Sequence, residues 1–259
     1  MPNRLIWLSD LHFTATGDVL GHDPRVRLDA AIDRINAHHA DAAYCVISGD
    51  MVNRGTDADY AALAAQLGRL TVPVLPMVGN HDDRARLAAN MHVPAGLDGF
   101  VQYRIDTPDG VIACLDTLDP RADSGAFCAA RLGWLTDVLK QGAPTVLFMH
   151  HPPMPLGLPM QDQDRLAGGA AFLDAIAGFG NLRHLMIGHV HRPITGVVRG
   201  IPFATMRSVL YQAPPPQPAW DWDSFVPAAE APAMGVVTLD RGAVTLQYHD
   251  ICAYDVGLS

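Results

Sequence analysis

The sequence predicts an α/β fold in which strands and helices alternate along the chain. Three short, continuously apolar segments, residues 4–9, 42–48 and 72–78, are separated by segments with helical periodicity. Such segments are typical of parallel strands covered on both faces, which βαβ connections produce. Polar residues that can bind metal or substrate follow each segment directly. Binding sites of open α/β sheets lie beyond the carboxyl ends of the strands, so the same pattern predicts where a site would be.

The first helix is predicted over residues 25–39, because Val26, Leu28, Ile32 and Ile35 recur at helical spacing. The second begins at Asp57, taken as an N-cap or a first-turn acid, and runs through Leu70. Strands and helices that alternate over the first eighty residues indicate a mainly parallel sheet.

The pattern changes after residue 100. Residues 101–106 and 111–116 flank a Thr-Pro-Asp-Gly turn and predict an antiparallel hairpin. Further helices are predicted over 128–140 and 168–179, and further strands over 145–149, 183–187, 194–198, 201–206, 234–239 and 243–249. Residues 213–223 are too rich in proline for a helix or a central strand. They are interpreted as a lid, a partner-binding segment or a linker, and Trp220 and Trp222 within them could stack on a base, cover a neighbouring subunit or fold back on the domain.

Composition places the chain among globular proteins without a membrane span. It has 259 residues, 49% of them hydrophobic, which suits one large domain. No apolar run approaches the length of a transmembrane helix, and the start leads directly into a strand pattern, so neither a membrane span nor a signal peptide is expected. The four cysteines lie far apart without a C-x-x-C pair, which favours a reducing cytoplasm and leaves a disulfide of Cys252 open.

The net charge of −9 and the pI near 5.6 disfavour a nucleic-acid polymer as partner, since such binding depends on clustered Lys and Arg. A small phosphate ester stays open if bound metal makes the site locally positive.

Five strand-end stretches supply metal-binding side chains. They read Ser-Asp-Leu-His at 9–12, Gly-Asp-Met-Val-Asn-Arg-Gly at 49–55, Gly-Asn-His-Asp at 79–82, His-His-Pro-Pro at 150–153 and Gly-His-Val-His at 188–191. The candidate ligands are Asp10, His12, Asp50, Asn80, His150, His189 and His191. Seven ligands are too many for one tetrahedral zinc and suit two ions.

Oxygen and imidazole donors without thiolate favour Fe, Mn, Zn or Co, whereas magnesium would prefer fewer histidines. Two divalent ions and two carboxylates leave a positive cavity that attracts phosphate. Such a pair, roughly 3.5 to 4 Å apart, can clamp the oxygens of an in-line phosphoryl displacement.

In this order, the five motifs resemble those of the calcineurin-like binuclear metallophosphoesterases. The resemblance spans Asp10 to His191 and is strongest to bacterial class III cyclic-nucleotide phosphodiesterases and the allied glycerophosphodiesterases, through Val52-Asn53, residues 79–83 and residues 149–157. It implies a four-layer αββα sandwich of two mixed sheets with a small C-terminal appendage. It also implies a homo-oligomer assembled through the C-terminal region.

Motif by motif, the resemblance implies one metal held by Asp10, His12 and His191. A second would be held by Asn80, His150 and His189, with Asp50 bridging both. His81 would contact the phosphate and either stabilise the transition state or protonate the leaving oxygen. Together with Asp50 it is the expected catalytic residue. The implied nucleophile is a metal-bound hydroxide, so no covalent intermediate is expected.

Several roles stay open at this stage. Asn53 is expected either to bind substrate phosphate or to serve turn geometry, and His151 to lie behind the ligands or to pack. Residues 1–206 are taken as the catalytic domain and residues 207–259 as a segment that completes the sheet and forms a lid or an oligomer contact. The expected activity is hydrolysis of small phosphodiesters, either 3',5'-cyclic nucleotides or glycerophosphodiesters. The alternatives are a phosphomonoesterase, a nuclease and a noncatalytic scaffold.

Overall fold

The computed structural model describes residues 3–216 and 221–252, which form eleven strands and five α-helices. The strands are β1 Asn3–Leu8, β2 Tyr44–Ile47, β3 Val74–Pro76, β4 Tyr103–Thr107, β5 Gly110–Cys114, β6 Thr145–Met149, β7 Leu182–Ile187, β8 Thr195–Val198, β9 Ile201–Thr205, β10 Ala233–Asp240 and β11 Ala243–Asp250. The helices are α1 Pro24–His38, α2 Asp57–Leu67, α3 Arg84–Asn90, α4 Ala129–Lys140 and α5 Gly169–Ile176, and a short 3-10 helix spans Gln161–Gln163.

The strands form two mixed sheets. The first has the order β11-β10-β1-β2-β3, and its pairs β1–β2 and β2–β3 are parallel while the pairs with β10 are antiparallel. The second has the order β4-β5-β6-β7-β9-β8, with antiparallel pairs at both ends and parallel pairs between. The parallel pairing expected over the first eighty residues is therefore confirmed for β1 to β3, and hairpins extend the parallel strands into the two mixed sheets that the family resemblance implies.

The two sheets pack face to face. On β6, Val146 and Phe148 belong to the core shared with the first sheet, whereas Leu147 and Met149 pack against α4 and α5. This alternation follows from the two-residue period of a strand. Trp7 of the first sheet contacts Phe148 edge-on, with ring centroids 5.8 Å apart. With α1 and α2 on the other face of the first sheet, the layers confirm the predicted αββα sandwich.

Side-chain caps explain where the early helices begin. Asp23 accepts a hydrogen bond from the Arg25 amide at the start of α1, and Pro24 takes the first helical position. At α2 the cap is Thr56, which accepts from the Asp59 amide and bonds the Asp59 carboxylate in return. Of the two roles predicted for Asp57, N-cap or first-turn acid, the structure shows the first-turn acid.

Helix α3 was not predicted from the sequence. It has seven residues, and Leu87 alone among them is buried, so it shows no apolar periodicity. Its start is capped by Asp83, directly after the Gly-Asn-His-Asp motif. A helix this short is stabilised mainly by its cap and its neighbours.

The C-terminal strands complete the first sheet, because β10 lies antiparallel beside β1 and pairs Gly235 with Trp7. Strand β11 then forms one edge of that sheet. Trp220 lies outside the described residues, so its predicted roles have no structural counterpart here. None of the helices in the described ranges is long and apolar enough to cross a membrane.

Candidate metal centre

The predicted ligands come from both sheets and meet where the sheets face each other. Asp10, Asp50 and Asn80 follow β1, β2 and β3 of the first sheet, while His150 and His189 follow β6 and β7 of the second. A single parallel sheet, as the alternation of strands and helices alone would suggest, has all of its carboxyl strand ends along one edge. The structure corrects this detail: two carboxyl edges, one from each sheet, supply the site.

The first cluster consists of Asp10, His12 and His191, whose ligand atoms all lie within 4.8 Å of one another. The Nε2 atoms of His12 and His191 are 3.0 Å apart. The Nδ1 of His12 donates to Asn53 Oδ1 at 3.2 Å, and the Nδ1 of His191 donates to the Tyr211 carbonyl at 2.9 Å. Because each Nδ1 already donates to an oxygen acceptor, the Nε2 atoms of both rings face the same space and are the atoms available to a metal.

The second cluster consists of Asn80, His150 and His189. Asn80 Oδ1 lies 3.2 Å from His150 Nε2, and His189 Nδ1 lies 3.3 Å from the same atom. The Nδ1 of His150 donates to the Ser48 carbonyl at 2.9 Å, which directs Nε2 toward the centre.

Asp50 lies between the clusters. Its Oδ2 is 3.5 Å from His12 Nε2, and its Oδ1 is 3.4 Å from His150 Nε2. The His81 amide donates to Asp50 Oδ1 at 3.0 Å and fixes the carboxylate in this orientation. One oxygen therefore faces each cluster.

The backbone at these positions is strained. Five of the seven predicted ligands have positive φ, namely Asp10 (55°), His12 (42°), Asp50 (49°), His189 (70°) and His191 (50°). This left-handed region costs a residue other than glycine on the order of 1–3 kcal/mol and is concentrated at functional sites. The turns redirect each side chain from the strand end toward the common centre.

Glycines in the motifs allow the loops to approach the site closely. A Cβ on Gly188 would lie 2.6 Å from Ser9 Oγ and 2.8 Å from the Ser48 carbonyl oxygen. A Cβ on Gly79 would overlap Asp50 Oδ1 and the Asp50 amide. Both motifs need glycine because no side chain fits at these points.

A hydrogen-bonded chain behind the first cluster was missed from the sequence. The buried Trp7 indole donates to Ser48 Oγ at 2.8 Å, Ser48 donates to Ser9 Oγ at 2.8 Å, and Ser9 donates to Asp10 Oδ2. Serines directly before Asp10 and before Gly49 were the available signal. The chain holds the Asp10 carboxylate and gives the buried indole a partner.

Asp82 connects two ligand loops. Its carboxylate accepts hydrogen bonds from the amides of Met51, Val52 and Gly79 at 2.9–3.3 Å and from the Tyr60 hydroxyl at 2.9 Å. Burial, followed by repulsion from Asp50, raises the pKa of Asp82 to about 6 despite these bonds. The last residue of the Gly-Asn-His-Asp motif thus positions the loops that carry Asp50 and Asn80.

Protonation states at the site largely suit metal binding. Burial raises the pKa of Asp10, but the neighbouring His191 more than offsets this and lowers it to about 2. Burial lowers the pKa of His12 and of His189 to about 3, so both stay neutral. His150 differs: burial lowers its pKa, but the Asp50 carboxylate raises it to about 9. A metal must therefore displace a proton from His150.

His81, Asn53 and His151 surround the ligands. His81 Nδ1 donates to the Asn53 carbonyl at 2.9 Å, and its ring packs edge-on against His12 with centroids 4.7 Å apart. Asn53 lines the cavity and accepts a hydrogen bond from His12. A role in binding substrate phosphate stays a prediction for it. Both nitrogens of His151 are engaged, by Thr117 Oγ1 and by the Asp123 carbonyl, which agrees with a position behind the ligands.

A cavity of about 490 Å³ opens above the two clusters. The loop of residues 13–24 contributes Leu20, the segment 154–168 contributes Gln161 and Asp164, and the C-terminal segment contributes Tyr211 and Trp222. The amino-acid sequence predicts that loops 13–24, 92–100 and 154–168 and the C-terminal segment select the two substituents of the diester, and three of these four segments line the cavity. The fourth, residues 92–100, does not line the cavity, and Asp123 lines it instead.

The residues fit a pair of bound cations. In the first cluster the Nε2 atoms of His12 and His191 converge with the carboxylates of Asp10 and Asp50, and the Nδ1 of each ring already donates to an oxygen acceptor. Acceptors this close together repel one another unless a cation lies between them. In the second cluster the buried Nε2 of His189 has no partner among the described residues, while its Nδ1 faces the centre.

Several proteins that are named as phosphodiesterases are similar to this chain. A relative from Rhodopseudomonas palustris, named a probable cyclic nucleotide phosphodiesterase, is 40% identical over 81% of this chain and 79% of its own length. A protein from Mycobacterium tuberculosis, named a cAMP/cGMP dual specificity phosphodiesterase, is 32% identical over 80% of this chain and 67% of its own. The glycerophosphodiester phosphodiesterase GpdQ of Enterobacter lignolyticus is 28% identical over 81% of this chain and 78% of its own.

Among solved structures, a dimetal phosphatase from Danio rerio superimposes with a TM-score of 0.73, covering 97% of this chain and 98% of its own at 14% identity. That likeness concerns the fold. Residues 4–193 also match the sequence model of a family described as calcineurin-like phosphoesterases. The match spans nearly three-quarters of the chain and contains every predicted ligand, so this protein belongs to the calcineurin-like phosphoesterase family.

Proposed function

We propose that this protein is a metal-dependent phosphodiesterase that hydrolyses small phosphodiesters at a centre of two metal ions. Asp10, His12 and His191 would hold one ion, Asn80, His150 and His189 would hold the other, and Asp50 would be shared by both. The donor set suits Fe, Mn, Zn or Co. The names of the relatives support the diester class.

The position of Asp50 is the observation that carries the proposal. One carboxylate oxygen faces His12 and the other faces His150, at 3.5 and 3.4 Å. A carboxylate shared in this way between two sets of potential metal ligands is what a pair of adjacent cations requires. A single site would leave three or four of the donors without a partner.

The two ions supply Lewis-acid activation of water and neutralise charge on the phosphate. The protein supplies the geometry. Hydrogen bonds fix the Nδ1 proton of His12, His150 and His191, so each ring keeps one tautomer and one orientation. Strained turns and close-packed glycines hold the loops in place, which avoids reorganisation during the reaction.

His81 is positioned to act on the substrate itself. Because its Nδ1 donates to the Asn53 carbonyl, its Nε2 carries a proton only when the ring is cationic. Burial lowers the pKa of His81, but the Asp50 carboxylate and the Asn53 carbonyl more than compensate and raise it. The cationic ring can donate Nε2–H to a phosphate oxygen, or give this proton to the leaving oxygen as its bond to phosphorus breaks.

The cavity wall favours a diester over a monoester. No Lys or Arg is among the described residues that line it, whereas Asp123 and Asp164 are. A phosphomonoester carries about two negative charges near neutral pH, while a diester carries one. Carboxylates at the wall therefore disfavour the monoester more strongly.

The test is the initial rate of metal-stripped and manganese-reloaded protein on bis(p-nitrophenyl) phosphate and on p-nitrophenyl phosphate. We expect diester turnover that depends on manganese, and two manganese ions per chain by elemental analysis. Faster monoester turnover would assign the protein to the phosphatases. Two bound metals without turnover would favour the noncatalytic scaffold.

The His81→Ala variant tests the proposed catalytic residue. We expect diester turnover to fall about 100-fold with metal content unchanged, since acid catalysis typically contributes 10²–10⁴-fold. His92→Ala is the matched control, because His92 is exposed and lies outside the cavity wall. An unchanged rate in His81→Ala would remove His81 from the mechanism.

We also propose that residues 1–206 form the catalytic domain and residues 207–259 a C-terminal segment that mediates homo-oligomer contacts. The outer edge of β11 pairs with no strand in the described ranges, which supports a contact there. Light scattering on the full chain tests this. We place the enzyme in the cytoplasm because its four cysteines are free thiols, and cell fractionation would check this location.

A further inference from the structure

The cavity has an aromatic wall that leads from the metal centre to solvent. Tyr211 packs on the ring of His191 with centroids 4.5 Å apart. The ring centroids of Phe225 and Tyr211 are 6.0 Å apart, and the angle between the two ring planes is 77°. Trp222 follows, 5.5 Å from Phe225. The three aromatic residues line the same cavity as His81. They form a continuous apolar surface that starts beside a metal ligand.

Trp222 is the outermost ring and is 58% exposed. A large aromatic side chain gains free energy when it is covered, so an exposed one that lines a ligand cavity is a candidate contact for a ligand. Planar groups suit such a ring, because every nucleobase offers a π-face for stacking.

Another part of the wall accepts hydrogen bonds. Gln161 is 4% exposed, lines the cavity, and its buried Oε1 has no partner in the described part of the chain. Asp164 and Asp123 line the cavity as well, and burial followed by the charge of Asp123 raises the pKa of Asp164. Acceptors without matching donors call for a ligand that brings N–H groups.

We propose that Trp222 and Phe225 are the stacking platform for the nucleobase of a cyclic nucleotide, and that Gln161 accepts a hydrogen bond from an amino group of that base. This inference rests on the proposed phosphodiesterase function and names its substrate class. A cyclic nucleotide has one negative charge, a planar base and, in adenine or guanine, an amino donor. Glycerophosphodiesters have no planar group that would use the aromatic wall.

The test compares 3',5'-cyclic AMP with glycerophosphoglycerol, whose substituents are neither planar nor cationic, on the manganese-loaded full chain, with bis(p-nitrophenyl) phosphate as a reporter of the metal centre. We expect a kcat/KM at least tenfold higher for cyclic AMP. Trp222→Ala should raise KM for cyclic AMP about tenfold with kcat nearly unchanged, since it removes a base stack that contributes equally before and during the reaction. Turnover of glycerophosphoglycerol should not change.

Two controls accompany this variant. Trp222→Phe should restore most of the affinity because it keeps an aromatic face. Val226→Ala, in the same segment and 69% exposed, lies outside the cavity wall and should behave like the wild type. In metal-stripped protein, cyclic AMP should quench the tryptophan fluorescence of the wild type but not that of Trp222→Phe. This measurement detects the contact in the absence of catalysis.

The role of Gln161 is tested with cyclic purine riboside monophosphate, which lacks the amino group. The wild type should prefer cyclic AMP, and Gln161→Leu should abolish this preference.

A Trp222→Ala effect of equal size on all diesters, or a preference for glycerophosphoglycerol, would overturn this inference and leave the phosphodiesterase intact. Absence of turnover on every diester, including the reporter, with two metals bound would overturn the proposed function and this inference with it.

Discussion

Replacing Asp82 by alanine should loosen the metal centre although Asp82 is not one of its proposed ligands. Its carboxylate accepts four hydrogen bonds, from the amides of Met51, Val52 and Gly79 and from the Tyr60 hydroxyl. These bonds connect the loop that carries Asp50 to the loop that carries Asn80. The truncation leaves all four donors without this acceptor.

The expected loss of stability follows from the number of bonds. Each contributes a net ~1 kcal/mol, and the raised pKa of Asp82 shows that burial and Asp50 offset part of the gain from its charge. The free energy of unfolding should therefore fall by about 4 kcal/mol, which corresponds to roughly 10 °C in Tm for a chain of this size. Removing a residue that orients ligands lowers metal affinity by about 10- to 100-fold.

Thermal unfolding with and without manganese, and manganese titration, measure the two effects. Asp83→Ala is the matched control: it removes an exposed cap of α3 and should cost about 1 kcal/mol without changing metal affinity. Tyr60→Phe removes one of the four hydrogen bonds, so its stability and manganese affinity should lie between those of the wild type and those of Asp82→Ala. Wild-type manganese affinity in Asp82→Ala would refute the reasoning, since the connection between the loops would then be irrelevant to the site.

Three further predictions follow from the same geometry. Gly79→Ala places a Cβ against Asp50 and should reduce bound manganese by at least about tenfold in a titration, whereas Gly133→Ala, with open space around its Cβ, should bind metal normally. Asn53→Ala removes the acceptor of a ligand imidazole and should weaken manganese binding about 10-fold, measured by calorimetry, and unchanged binding would contradict it. Because His150 has a pKa of about 9 without metal, binding at pH 7 should release about one proton, and manganese affinity should rise with pH up to about 9. Calorimetry in buffers of different ionisation enthalpy measures that proton, and a pH-independent affinity would refute the assignment.

Much of the fold was predictable because its strands are continuously apolar and its early helices carry clear signals. The predicted strands agree with β1 to β11 within a few residues, and the predicted start of the second helix, Asp57, is the first residue of α2. Helix α3 was missed because one buried leucine gives no periodicity. The mixture of parallel and antiparallel strands was not evident from local patterns, because pairing depends on which distant segments meet.

The sequence by itself determined the chemistry: seven oxygen and imidazole donors at strand ends, without thiolate, and the motif order of one family. Tertiary structure decided how these donors are used. Asp10, Asp50 and Asn80 end strands of one sheet while His150 and His189 end strands of the other, so the site exists only where the two sheets pack. Other features of the site also depend on contacts between residues far apart in the chain. Asp82 connects the two loops, and Asn53 and backbone carbonyls fix the imidazole tautomers. The aromatic wall forms from Tyr211, Phe225 and Trp222. Local sequence carries no record of such contacts, since they arise from packing of segments that have no common pattern.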